Sequence, residues 1–139
     1  MLSRHIRAFA IVAAAALALS VSTAASASTV AVTILMRGDG DTLRAVFYDG
    51  QNGTGDALYY YDSTACTPTK STAELLVGDL RRLGWDDRIE SVKDFNSCDV
   101  NVYRDISFGG GSTGYVNYGS AGKNLTSAFR NLPSSFRVS

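Results

Sequence analysis

Residues 103–110 read Tyr-Arg-Asp-Ile-Ser-Phe-Gly-Gly. Just before them, Val100 and Val102 alternate with Asn101 and Tyr103, the period of a half-buried strand. The strand stops at an aromatic, makes a short polar excursion and returns to a second aromatic, Phe108, with Gly110 two places on. One aromatic at a strand end can be covered by another only if the intervening residues curl back over the sheet. Such a path needs positive φ, which glycine adopts at no steric cost. The stretch therefore reads as a hairpin folded over its own sheet.

The same spacing occurs once before. Tyr48 and Gly55 precede Tyr103 and Gly110 by 55 positions, and each tyrosine closes a strand-like run, AVFY or VNVY. Gly53 stands where the later copy has Phe108. Further along, Ile89–Lys93 matches Pro133–Arg137 at an offset of 44, which pairs Ser91 with Ser135. A serine there can hydrogen-bond into the curled hairpin. The first unit is the longer one, and its surplus falls near Cys66 and a leucine-bearing stretch.

Around these units the chain is simple. Arg4, His5 and Arg7 precede the apolar run 8–19, and Ala25-Ser26-Ala27 offers a cleavage site, so residues 1–27 read as a signal peptide. That run is shorter than the ~20 residues a spanning helix needs, so no membrane association is expected. Residues 28–139 then form one domain. Thirteen basic residues balance thirteen acidic ones, and removing Arg4 and Arg7 leaves a slight acidic excess. With no basic stripe, a nucleic-acid partner is not expected.

His5, the only histidine, leaves with the leader. A Ser-His-Asp triad, a Cys-His pair and a histidine-bound zinc are thereby excluded. Paired carboxylates for glycoside hydrolysis are a poor alternative, because Glu74 and Glu90, the only glutamates, have local explanations. No enzyme activity is expected. Cys66 and Cys98 are expected to form one disulfide in an oxidising compartment.

Strands are expected over 29–36, 42–48, 57–61, 89–93, 99–104, 113–118 and 135–138. The glycines and aspartates of 37–41, RGDGD, suit a hairpin turn better than an adhesive motif. Ser71 and Glu74 form a capping box, Leu76, Leu80 and Leu83 recur at helical spacing, and Gly84 suits a left-handed cap. A short amphipathic helix over 72–83, packing its leucines into the core, is expected. Tyr59, Tyr60 and Tyr61 are consecutive, so at least one faces solvent.

The paired constellation Tyr103, Phe108, Gly110 and Tyr48, Gly55, each unit with its serine, resembles the Greek key motif of the βγ-crystallins. The resemblance covers about residues 43–138 and implies an all-β fold. Two Greek keys, about 43–94 and 99–138, would pack as a βγ-crystallin-like sandwich with one short helix. It also implies calcium as a cofactor, through a run of two Asn/Asp, two variable residues and two hydroxyls. Asp86-Asp87-Arg88-Ile89-Glu90-Ser91 matches except at Glu90, and Arg130-Asn131-Leu132-Pro133-Ser134-Ser135 matches except at Arg130. One implied site would use Asp87, the Arg88 carbonyl and Ser134, with Asp86 beside it. The other would use Asn131 and Glu90, with Arg130 repelling the ion. Calcium needs six to eight oxygens and tolerates loose geometry.

Two functions follow as expectations. One is a secreted, monomeric structural or binding module tuned by calcium. The other is a proteinaceous inhibitor of a secreted peptidase, because the Streptomyces metalloproteinase inhibitor family shares this fold. An inhibitor needs a rigid loop, and a disulfide would stiffen Thr64–Lys70 and Phe95–Asp99.

Overall fold

The computed structural model describes residues 29–67 and 75–139. The expected leader and the Ser71–Glu74 cap lie outside them. Eight strands are formed: β1 (Val32–Arg37), β2 (Leu43–Tyr48), β3 (Ala57–Asp62), β4 (Leu75–Val77), β5 (Ser91–Asp94), β6 (Val100–Tyr103), β7 (Lys123–Asn124) and β8 (Ser135–Val138). They build a five-stranded sheet, ordered β1-β3-β2-β5-β7, and a three-stranded sheet, ordered β4-β8-β6. Alternation sets the faces. Along β3, Leu58, Tyr60 and Asp62 turn inward, whereas Tyr59 and Tyr61 are half-buried on the outer face.

The two halves of the chain exchange strands. β7, from the second half, pairs antiparallel with β5 of the first, Ser91 opposite Asn124. β4, from the first half, pairs antiparallel with β8 of the second, Val77 opposite Phe136. Each sheet thus ends in a short strand donated by the other unit, the connectivity of interlocked Greek keys. Between the sheets, the Phe136 ring lies 4.3 Å from Phe47 and meets Tyr60 edge-on at 5.4 Å. Trp85 is 1% exposed, and its indole N–H donates to Thr33 Oγ1 at 3.0 Å.

Three local expectations are corrected. The helix over 72–83 is not formed among the described residues: Leu75–Val77 extends as β4, and only Leu80–Leu83 coils, as a 3-10 turn. Helical spacing of leucines is a local signal, and the ladder to β8 overrides it. Leu80 is buried, but Leu76 is 42% exposed and is no core residue. Gly84 takes the expected left-handed cap, at φ 70°, while the turn begins at Asp79, which the sequence did not single out and which accepts the Arg81 N–H at 3.1 Å.

The strand over 113–118 is reduced to isolated bridges, Tyr103 to Ser112 and Val100 to Val116. Gly114, at φ 69°, bends the chain out of the ladder between them. Finally, residues 37–41 turn, with the Gly40 N–H donating to the Arg37 carbonyl at 3.1 Å, but they do not make a hairpin. β1 does not pair with β2 but lies beyond β3, pairing with it in parallel, Val32 opposite Ala57.

Cys66 and Cys98 are bonded, their Cα atoms 5.2 Å apart. This fastens the loop after β3 to the connection between the units.

Candidate functional site

The curled hairpins are built alike. In the first unit the Ser91 hydroxyl donates to the Gly50 carbonyl at 2.6 Å and accepts the Gly53 N–H at 3.0 Å. In the second the Ser135 hydroxyl donates to the Asp105 carbonyl at 2.6 Å and accepts the Phe108 N–H at 3.1 Å. Asn52, at φ 58°, and Ser107, at φ 54°, hold the same left-handed turn. The rings of Tyr103 and Phe108 meet edge-on at 5.6 Å, as the spacing predicts, and the Arg137 guanidinium covers Phe108 at 4.2 Å. In the first unit Gly53 carries no ring, and Lys93, the counterpart of Arg137, lies 5.4 Å over Tyr48 instead.

These locks set two loops across each other. The Asp87 N–H donates to the Pro133 carbonyl at 3.1 Å, and the Asn131 N–H returns the bond to the Ile89 carbonyl at 2.9 Å. Asp87 and Asn131 sit at φ 54° and 56°, in equivalent left-handed positions. The crossing brings the expected calcium residues of both units into one region, with backbone of matching shape.

Their side chains differ. In the first loop Asp86 Oδ1 is buried without a hydrogen-bond partner. Burial, and then the neighbouring charge of Asp86, raise the Asp87 carboxyl above the usual carboxylate range. Ser134, which would complete this set, is buried at 8% exposure. The Arg88 side chain is committed elsewhere: its guanidinium binds Asp49 and Asp56 at 2.7 Å each and lies 4.7 Å over Trp85. Only its carbonyl is left for the expected role.

In the second loop Asn131 Nδ2 donates to Glu90 Oε1 at 2.9 Å, so the two expected ligands meet and pair with each other. Arg130, the counterpart of Asp86, carries its own buried, unpartnered Nε. A cation answers the orphaned oxygen of Asp86 and opposes the guanidinium of Arg130. On that account the first loop suits a cation better than the second. Among the described residues, no three His, Cys, Asp or Glu side chains gather as a metal group. The first loop would therefore depend on carbonyl and hydroxyl oxygens as well.

Next to the disulfide, Asn96 and Ser97 are exposed at φ 56° and 61°. The Cys98 N–H donates to the Phe95 carbonyl at 3.2 Å, closing a tight turn with two left-handed residues at its tip. The turn is held from beneath, since Asn96 Nδ2 donates to the Leu43 carbonyl at 2.8 Å and the Phe95 N–H to the Arg44 carbonyl at 3.0 Å. The sequence points to this loop through Cys98. It carries no mark of Asp49 and Asp56 as partners of Arg88, a contact that only the first hairpin's curl creates.

Comparison of the fold with solved structures gives a match at TM-score 0.54 and 21% identity, covering 69% of this chain and 84% of the other. That structure bears on the evolution of the eye lens βγ-crystallin domain fold. The chain folds as a βγ-crystallin domain. A βγ-crystallin domain from Flavobacterium johnsoniae is 26% identical, at TM-score 0.47, over 68% of this chain and 92% of that one. The N-terminal domain of Protein S is 18% identical, at TM-score 0.49, over 69% and 94%. No curated protein sequence gives a significant match. At the level of family models, residues 47–115 of the chain match peptidase inhibitor family I36. The matched segment contains both cysteines and the Phe95–Cys98 turn. The match to an inhibitor family and the disulfide are consistent with an extracellular location.

Proposed function

We propose that the protein is a secreted, non-enzymatic βγ-crystallin-like inhibitor that binds a secreted peptidase through the disulfide-braced turn Phe95–Cys98. The observation that carries this reading is the match to peptidase inhibitor family I36, which spans the braced turn. A loop entering an enzyme cleft loses affinity to whatever ordering it must undergo. Here the turn is already ordered by the Cys66–Cys98 bond and by hydrogen bonds to Leu43 and Arg44. The test is residual activity of a panel of secreted metallo- and serine peptidases with the domain expressed without residues 1–27. Inhibition at nanomolar to micromolar concentration, lost on replacing Asn96 and Ser97 with bulky charged residues, supports it. Full activity across the panel overturns it.

A second reading concerns calcium, and the orphaned Asp86 Oδ1 favours it. The first loop holds one weakly bound calcium ion through Asp86, Asp87, the Arg88 carbonyl and Ser134. Calcium then acts as a stabiliser of the crossed loops. Calorimetric titration with calcium decides the matter: absence of heat together with an unchanged melting temperature overturns it.

A further inference from the structure

A groove of about 570 Å³ opens on the side of the sandwich where β1 and β4 end their sheets. Among the described residues, neither strand has another beside its outer edge. Leu35, Leu76, Leu83 and Ile106 supply an apolar floor. Leu76 is 42% and Ile106 38% exposed, so each leaves apolar surface open to an occupant.

The rim is cationic. Three guanidinium groups, those of Arg37, Arg81 and Arg82, line the groove against one carboxylate, Asp79. Arg81 takes both oxygens of that carboxylate, at 2.8 and 3.0 Å. Arg82 reaches it only at 3.5 Å and its side chain is 85% exposed, so its charge is barely offset. The Arg37 guanidinium bridges the two sheet edges, donating to the Leu76 carbonyl at 3.2 Å, with Asp62 more distant at 3.9 Å. In a chain whose formal charges sum to zero, this is a local excess of positive charge over apolar ground.

We propose that this groove is a docking site for an extended, acidic peptide segment of a partner protein. An aliphatic side chain of the segment seats on Leu35, Leu76 and Ile106, and a carboxylate within two residues of it reaches Arg82. The charge of the rim selects an anionic occupant. The two strand edges, neither paired with a further strand among the described residues, favour an extended backbone, which can continue a sheet while alternate side chains enter the groove. This site is separate from the Phe95–Cys98 turn, so binding here and peptidase inhibition stand or fall independently.

The test is a methyl and amide NMR titration of the domain with the synthetic peptide acetyl-Ser-Thr-Leu-Thr-Glu-Asp. The control is the matching peptide with Gln and Asn in place of the two acids and an amidated end. The acidic peptide is expected to shift the methyls of Leu35, Leu76 and Ile106, with affinity falling at high salt. Arg82→Gln, at an exposed position, is expected to weaken binding about fivefold, the loss of one charge-assisted contact. Ile106→Ser removes the floor and weakens both peptides alike. Equal binding of the neutral peptide, or no shift from either at millimolar concentration, overturns the proposal. So does perturbation of the same methyls by decanoate but by neither peptide. Shifts that grow with protein concentration alone, matching those from the acidic peptide, overturn it in favour of a second copy.

Discussion

The two crossed loops have one backbone and opposite electrostatics. Asp87 and Asn131 share a left-handed conformation, each N–H bonds a carbonyl of the other loop, and Ser91 and Ser135 lock their hairpins with the same pair of bonds. Yet one loop aims an unpartnered carboxylate oxygen inward and the other an unpartnered guanidinium nitrogen. Backbone hydrogen bonds and positive φ set the shape, and they tolerate any side chain that leaves them intact. What the shape can bind depends on one position per loop, Asp86 or Arg130.

The largest effect tests what the loops share. Phe136 packs against Phe47 and Tyr60 from β8 to the opposite sheet. Phe136→Ala is expected to cost about 3–5 kcal/mol, through lost burial and the cavity left behind. Denaturant unfolding should show both units failing in a single transition. Two separate transitions would mean that the halves are less interlocked than their exchanged strands imply.

The serine locks come next. Ser91→Ala and Ser135→Ala each orphan one carbonyl and one N–H in a hairpin, an expected loss of about 2–3 kcal/mol apiece. The symmetry of the bonds predicts similar values for both. A large inequality would show that the Tyr103–Phe108 ring pair, which the first hairpin lacks, carries the second hairpin without its serine.

The calcium comparison is smaller and sharper. Calcium at about ten times its dissociation constant stabilises a single-site protein by roughly 1.4 kcal/mol, a rise of several degrees in melting temperature. Asp86→Asn is expected to diminish that rise. Arg130→Asp is expected to enlarge it by giving the second loop the acid of the first. If Arg130→Asp leaves the calcium response unchanged, the Glu90–Asn131 bond and not the cation keeps the second loop from binding.

The smallest effect concerns pH. Asp56 accepts the Ala31 N–H at 2.8 Å and pairs with Arg88, and these hold its carboxyl below the usual carboxylate range. A depressed folded value means that the stabilisation is present above the unfolded pKa and is lost as pH falls through the lowered one. Arg88→Gln should move the Asp56 carboxyl midpoint up toward the ordinary range without releasing the Ala31 bond. An unmoved midpoint, read by NMR, would assign the whole depression to the backbone donor.

Much of this was legible from spacing. Tyr103, Phe108 and Gly110 specify a curled hairpin on their own, because covering one ring with another five residues later leaves few other paths. Tyr48 and Gly55, and the offsets to Ser91 and Ser135, extend that to two units. What stayed hidden depends on distant partners. β4 reads locally as part of a leucine-spaced helix, and β7 is two polar residues with no period at all. Both are strands only because β8 and β5 offer them a ladder. The placement of β1 beside β3 is likewise invisible in a turn that suits a simple hairpin.

Residue type at short separation was enough to specify the repeat, the hairpin locks and the exclusion of histidine chemistry. The strands that each unit lends the other, and the loop that keeps an unpartnered carboxylate oxygen, were set by the folded chain. The same crossing of the chain left an Arg-rimmed groove open between two sheet ends. Those outcomes arise from contacts among residues far apart in the chain, whose energies no local pattern records.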